Sequence, residues 1–131
     1  MTPFVEIEIS LQRIDATMRV ALRFDRSDSE SDVAPVLGLA AFDLEALRAV
    51  SGDRKQYGLL LSQNLFADPK IKSAFEKGCV MAESLDMPLR LRLLIDKSAV
   101  ELHSLVWEAL CDPESGELLA MREREIGRAH V

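Results

Sequence analysis

The N-terminal part of the chain alternates strictly between apolar and polar positions. Every second residue is apolar over residues 5–12, and the alternation resumes over residues 18–25 after a short polar break. A period of two is typical of a half-buried strand, so the two stretches predict an antiparallel hairpin. The outward residues include acids on the first strand, such as Glu8, and arginines on the second, such as Arg23. We expect these charges to pair across the hairpin.

Helical spacing follows the hairpin, after an acidic and serine-rich stretch at residues 26–35 that we expect to form a mobile loop. Asp43 is placed to cap a short helix that ends near Gly52, and a second helix is predicted over residues 54–67. Asp68 is followed by proline and predicts the start of a third helix, whose apolar stripe has small residues in its middle. Those small residues would let another element approach this helix closely.

The last third of the chain returns to strand patterns. Alternation over residues 89–95 predicts a strand, and Leu94 interrupts its polar side, which favours a central position or cover on both faces. A short helix is predicted over residues 100–110, with its apolar side chains near the core. A turn and a fourth strand are predicted to follow, the strand over residues 117–124. His130 lies in a tail that we expect to be frayed.

This order of elements predicts one α+β domain over residues 1–131. Its sheet is expected to be small, mixed or antiparallel, built from the N-terminal hairpin plus two later strands, and covered by about three or four helices. A chain of 131 residues is long enough to bury one core. The formal net charge of −6 argues against a nucleic-acid partner, because such proteins need a basic surface. No apolar run approaches the ~20 residues that span a bilayer, and no signal peptide is visible, so we expect a cytoplasmic protein without a membrane partner.

Candidate chemistry is sparse. Cys79 lies on the apolar stripe of the third predicted helix, where a core thiol is expected. Cys111 follows His103 by eight residues, and on a helix this spacing suits a catalytic cysteine–histidine pair poorly. No glycine-rich phosphate loop and no zinc-ligand spacing is present in the sequence. We therefore expect no catalytic residue, no metal and no cofactor on this chain.

Residues 101–113 resemble a motif of a known protein family. Their sequence, E-L-H-S-L-V-W-E-A-L-C-D-P, looks like the E-L-H-x-L-P-W-E-x-L-x-D-P motif of bacterial CHAT-domain proteins, which are similar to caspases. Weaker matches precede this motif segment at Tyr57-Gly58, at residues 65–69 and in the strand that begins after Pro88. Val106 departs from the motif, which usually has proline at that position.

The resemblance implies that residues 1–96 form an accessory part and that residues 97–131 open a caspase-like domain. The protease centre of the family is a cysteine–histidine pair located farther along the chain, so neither Cys79 nor Cys111 inherits a catalytic role. The matching residues are instead expected to be structural, with Trp107 filling a core pocket and Glu108 anchoring a neighbouring backbone. These structural residues are Leu102, His103, Trp107, Glu108, Asp112 and Pro113.

The resemblance further implies a non-catalytic regulatory or scaffolding module that acts through protein–protein contacts, in systems linked to signalling, programmed death or antiphage defence. Three origins are open for such a chain: a fragment, a stand-alone product, or one chain of an assembly. Its partner is expected to be another protein or the missing caspase-like half, and self-association is expected if apolar surface is left exposed. Two alternatives also remain open, a small cysteine hydrolase that uses Cys111 and His103, and an independent ligand-binding domain with an apolar pocket.

Overall fold

The computed structural model describes residues 2–29, 33–117, 119 and 124–130, the last range by its backbone. The strands are β1 Val5–Ile14, β2 Thr17–Arg26, β3 Val36–Ala40, β4 Leu89–Ile95 and β5 Arg124–His130. The α-helices are α1 Leu44–Ala49, α2 Arg54–Leu65 and α3 Pro69–Ser84. Two 3₁₀ helices follow β4, the first at Lys97–Ser104 and the second at Trp107–Ala109.

The described strands form one mixed sheet in the order β3-β2-β1-β4-β5. β1 and β2 pair as the predicted antiparallel hairpin, with Glu8 opposite Arg23, and β3 adds antiparallel to the other side of β2. β4 pairs in parallel with both β1 and β5, so it has the central position that the pattern around Leu94 favours. The predicted α+β class, a small mixed sheet with covering helices, is confirmed.

The helices cover one face of this sheet. Every second residue of β1, β2 and β4 points to that face, and these inward residues are buried over positions 5–11, 18–22 and 89–95. They join one apolar core with residues of α2 and α3, among them Leu61 and Phe75. Since enclosing a side chain of this size contributes about 1.5–3 kcal/mol, this core is the main source of stability.

The small residues predicted in the middle of α3 allow a close approach to the sheet. Gly78 faces Ile7 of β1, and a β-carbon at position 78 would lie 2.8 Å from Ile7 Cδ1. Side-chain carbons do not normally come so close, so a glycine lets α3 cross β1 at this distance. The neighbouring Cys79 is partly buried against the same core, and no disulfide joins it to Cys111.

Asp68 joins α3 to the edge of the sheet. Its Oδ1 accepts a hydrogen bond from Lys70 N–H at 3.0 Å, which caps the helix as predicted, and its Oδ2 accepts one from Leu39 N–H of β3 at 3.1 Å. These two backbone donors hold the pKa of the Asp68 carboxyl below its ordinary value. Gly38 makes room for the carboxylate, because a β-carbon there would lie 2.6 Å from Asp68 Oδ2.

Two elements differ from the sequence expectations. β3 occupies a stretch where the pattern predicts no element, because its outward residues Leu37 and Leu39 are apolar and one of its inward residues is Gly38. The single helix predicted over residues 100–110 is instead two 3₁₀ helices, because the backbone becomes extended at Leu105 between them. The other predicted helix cap is confirmed: Asp43 Oδ1 accepts a hydrogen bond from the third residue of α1 at 3.0 Å.

Two further expectations, the loop at residues 26–35 and the last strand, are only partly covered by the described residues. Of the loop expected at residues 26–35, residues 30–32 lie outside the described ranges, and so does most of the strand expected over residues 117–124. The described strand β5 instead begins at Arg124 and ends at His130. The frayed tail expected around His130 is wrong, because its backbone pairs in parallel with Ile95 of β4.

Candidate functional site

The residues that carry the family resemblance pack into the core beside α2. Trp107 is 0% exposed, its Nε1–H donates to Leu102 O at 2.9 Å, and its ring meets Phe42 edge-on with the ring centroids 5.9 Å apart. Leu102 is also fully buried, so this hydrogen bond is shielded from water. A buried tryptophan needs a partner for its N–H, and the Leu102 carbonyl supplies that partner. Trp107 therefore fills a pocket in the core.

Two consecutive residues of α2 hold the motif segment in place. The Tyr57 hydroxyl oxygen accepts a hydrogen bond from Val106 N–H at 3.0 Å. The family motif usually has proline at this position, and proline has no N–H to donate, so this bond depends on the departure at Val106. Gly58 lies directly against Ala109, because a β-carbon at position 58 would be 2.2 Å from the Ala109 carbonyl oxygen. Glycine thus brings the two backbones into contact.

Ser62 of α2 forms hydrogen bonds with both backbone groups of Cys111. Its hydroxyl donates to Cys111 O at 2.6 Å and accepts from Cys111 N–H at 3.0 Å. The Cys111 sulfur lies 3.4 Å from the same hydroxyl oxygen, and the residue is 2% exposed. A nucleophilic thiol needs access to substrate and a base within reach, and a serine hydroxyl is not such a base. The surroundings of Cys111 are those of a structural cysteine.

The remaining motif residues lie closer to the surface. His103 is partly buried in the last turn of the first 3₁₀ helix, and Glu108 is exposed in the second one. Asp112 begins a turn in which its Oδ1 accepts from Glu114 N–H at 2.8 Å, with the partly buried Pro113 between them. The backbone-anchoring role expected of Glu108 stays a prediction.

The turn that begins at Asp112 is also attached to α3. The Glu114 carboxylate lies 2.6 Å from Lys72 Nζ. The hydrogen bond between them lowers the pKa of Glu114 and raises the pKa of Lys72. Both side chains are exposed, so this pair positions the turn more than it stabilises the fold. In the ranges that the structure describes, no group of three or more His, Cys, Asp and Glu side chains is arranged to hold a metal ion.

The second face of the sheet carries none of the described helices, and we call it the open face. Its outward side chains include Leu37 and Leu39 of β3, which are 53% and 55% exposed. Large apolar side chains exposed next to each other are a common feature of contact surfaces. The other described residues of the open face are Glu6, Glu8, Ser10 and Gln12 of β1, Arg19, Ala21, Arg23 and Asp25 of β2, and Arg90, Arg92 and Leu94 of β4.

Four uncharged residues of the open face lie in register on neighbouring strands. They are Leu37, Ala21, Ser10 and Leu94, and we call them the central row. Ala129 of β5 occupies the next register position, opposite Leu94. Adjacent strands are about 4.8 Å apart, so the four residues extend over about 14 Å. The central row is thus an uncharged band that crosses the strands.

Arginines border the central row on both sides. On one side Glu8 lies between Arg23 and Arg92, with N–O distances of 3.1 and 3.8 Å. On the other side Arg19 lies opposite Gln12 of β1 and Leu39 of β3. Asp96, just after β4, uses its carboxylate to accept from Ser98 N–H in the first 3₁₀ helix. The border that contains Arg23, Glu8 and Arg92 therefore has one net positive charge, whereas Arg19 and Asp96 balance each other on the opposite border.

Two cavities bear on the ligand-binding alternative. A groove of about 600 Å³ lies between β2 and α3, because β3 begins at Val36 and leaves Phe24 without a strand neighbour on that side. Its polar lining consists of exposed side chains such as Lys70 and Lys77. An apolar cavity of about 400 Å³ lies beside Cys111. Both volumes suit small molecules, but ligand sites also need buried polar groups that fix orientation.

Sequence reasoning predicted a core position for Trp107, where the structure has it, but missed the central row. Leu94 is the only central-row residue that the pattern singles out, because it interrupts a polar side. Leu37 gives no signal, since β3 is not predicted. Among the described residues no helix has the length and apolar character needed to cross a membrane. Comparisons of the chain with protein-family models, with curated proteins and with solved structures find no match.

Proposed function

We propose that this chain is a non-catalytic regulatory or scaffolding module of a CHAT-type, caspase-like bacterial protein, and that it acts through protein–protein contacts made by the open face. The observation that carries this proposal is the position of β4. It pairs in parallel on both sides, yet Leu94 on the open face is only partly buried. Parallel strands are normally covered on both faces, so this face is suited to receive a partner.

The packing of the motif segment supports the non-catalytic part of the proposal. The polar groups of Trp107, Tyr57 and Ser62 all hold backbone in place. Cys111 is 2% exposed, and its sulfur and both of its backbone groups lie against the Ser62 hydroxyl. By resemblance, the partner is a caspase-like domain, on the same polypeptide or on another one, and the parent systems are linked to signalling, programmed death or antiphage defence.

Site-specific photo-cross-linking in the natural host tests the proposal. A photoreactive phenylalanine analogue replaces Leu37, and cross-linked products are identified by mass spectrometry. The expected product joins position 37 to a polypeptide segment that belongs to a caspase-like domain with a cysteine and a histidine. The matched control places the same analogue at Val100, which is 69% exposed in the first 3₁₀ helix and is expected to give no such product.

Two results would overturn the proposal. One is an equal yield of products from positions 37 and 100, because the open face would then have no partner of its own. The other is a peptidase activity of the purified chain that Cys111→Ala abolishes while circular dichroism shows an unchanged fold. That result would establish the cysteine hydrolase alternative, in which Cys111 and His103 are catalytic.

A further inference from the structure

We draw no further inference here: the strongest candidate, the central row on the open face of the sheet, is an unpartnered surface around which the positive and negative side chains balance, so nothing in the structure shows what covers it.

Discussion

Trp107 and Leu37 are both large apolar side chains, but the first is 0% exposed and the second is 53% exposed. Around Trp107, Tyr57 and Ser62 satisfy the backbone of the motif segment, and Gly58 brings α2 into contact with it. Around Leu37 lies an uncharged row bordered by arginines, on a sheet that includes a parallel strand with one face open. Trp107 thus belongs to the core of the domain, whereas the exposed row around Leu37 has no sequence motif.

The largest effect is expected where the motif segment is most enclosed. Trp107→Ala should lower the free energy of unfolding by about 3–5 kcal/mol, because it leaves a cavity and removes the donor to Leu102 O. Urea unfolding followed by circular dichroism measures this loss, since Trp107 is the only tryptophan in the chain. The control is Val106→Ala, at a residue that is exposed, with an expected change within about 0.5 kcal/mol. If Trp107→Ala and Val106→Ala lower the free energy of unfolding by similar amounts, Trp107 is not the enclosed residue described above.

The contact between α2 and the motif segment gives the next effect. Alanine is normally the better helix former by about 1 kcal/mol. At position 58, however, its β-carbon would lie 2.2 Å from the Ala109 carbonyl oxygen, and a backbone atom cannot easily move away. Gly58→Ala should therefore lower the free energy of unfolding by about 1–3 kcal/mol in the same urea experiment.

A second glycine provides the matched control for Gly58→Ala. A β-carbon at Gly52, in the connection between α1 and α2, has no atom within 4 Å. Gly52→Ala is expected to be neutral or to raise the free energy of unfolding by up to about 1 kcal/mol. If both substitutions stabilise the protein, the motif segment does not lie against α2 as closely as described.

Asp68 connects α3 to the edge strand β3, and its contribution to the free energy of unfolding should depend on pH. Its pKa is lowered in the folded state by the N–H groups of Lys70 and Leu39, so the unfolded state binds more protons in acid. The stabilising contribution is therefore complete above the unfolded pKa of about 3.9 and is lost as pH falls through the lower folded value. Asp68→Asn should be less stable than the original chain at pH 7, with the difference shrinking as the pH falls below about 4.

Thermal unfolding of both forms across that pH range measures the effect of Asp68→Asn. The control is Asp53→Asn, because Asp53 caps α2 through one N–H, that of Gln56, at 3.1 Å, without a bond to the sheet. A difference between Asp68→Asn and the original chain that does not change with pH would show that the charge of Asp68 does not contribute.

The smallest effect is expected on the open face. Leu37→Ser should change the free energy of unfolding by less than about 1 kcal/mol, because the side chain is already more than half exposed. Leu61→Ala, at a leucine that is 0% exposed, should cost about 2–5 kcal/mol in the same urea experiment. A large loss in Leu37→Ser would mean that the open face contributes to the fold, and its role as a contact surface would be doubtful.

The parts of the fold that sequence predicted depend on neighbours along the chain. The alternation of β1, β2 and β4 and the helix caps at Asp43 and Asp68 are read within a few residues, and each is confirmed. β3 could not be read in this way, because Gly38 is required by Asp68, and the bond from Leu39 N–H to Asp68 joins residues 29 positions apart.

The site depends on still longer separations. The bonds of Ser62 to Cys111 and of Tyr57 to Val106 each join residues 49 positions apart. No local pattern predicts that Ser62 and Tyr57 of α2 form hydrogen bonds with the distant motif segment. The central row has the same property, since it exists only when four strands are in register. Leu94 alone gave a local signal, because it stands where a polar residue is expected.

The carboxylate of Asp68 also determines what can happen at the edge of β3. An uncovered edge strand is a template on which further strands can polymerise. Here an incoming strand would find Leu39 N–H already occupied by a charged oxygen, and Pro35, just before β3, has no N–H to offer. Asp68 therefore hinders the addition of another strand to β3. Protonation of Asp68 in strong acid would weaken its bond to Leu39 N–H and make this part of the edge available to another strand.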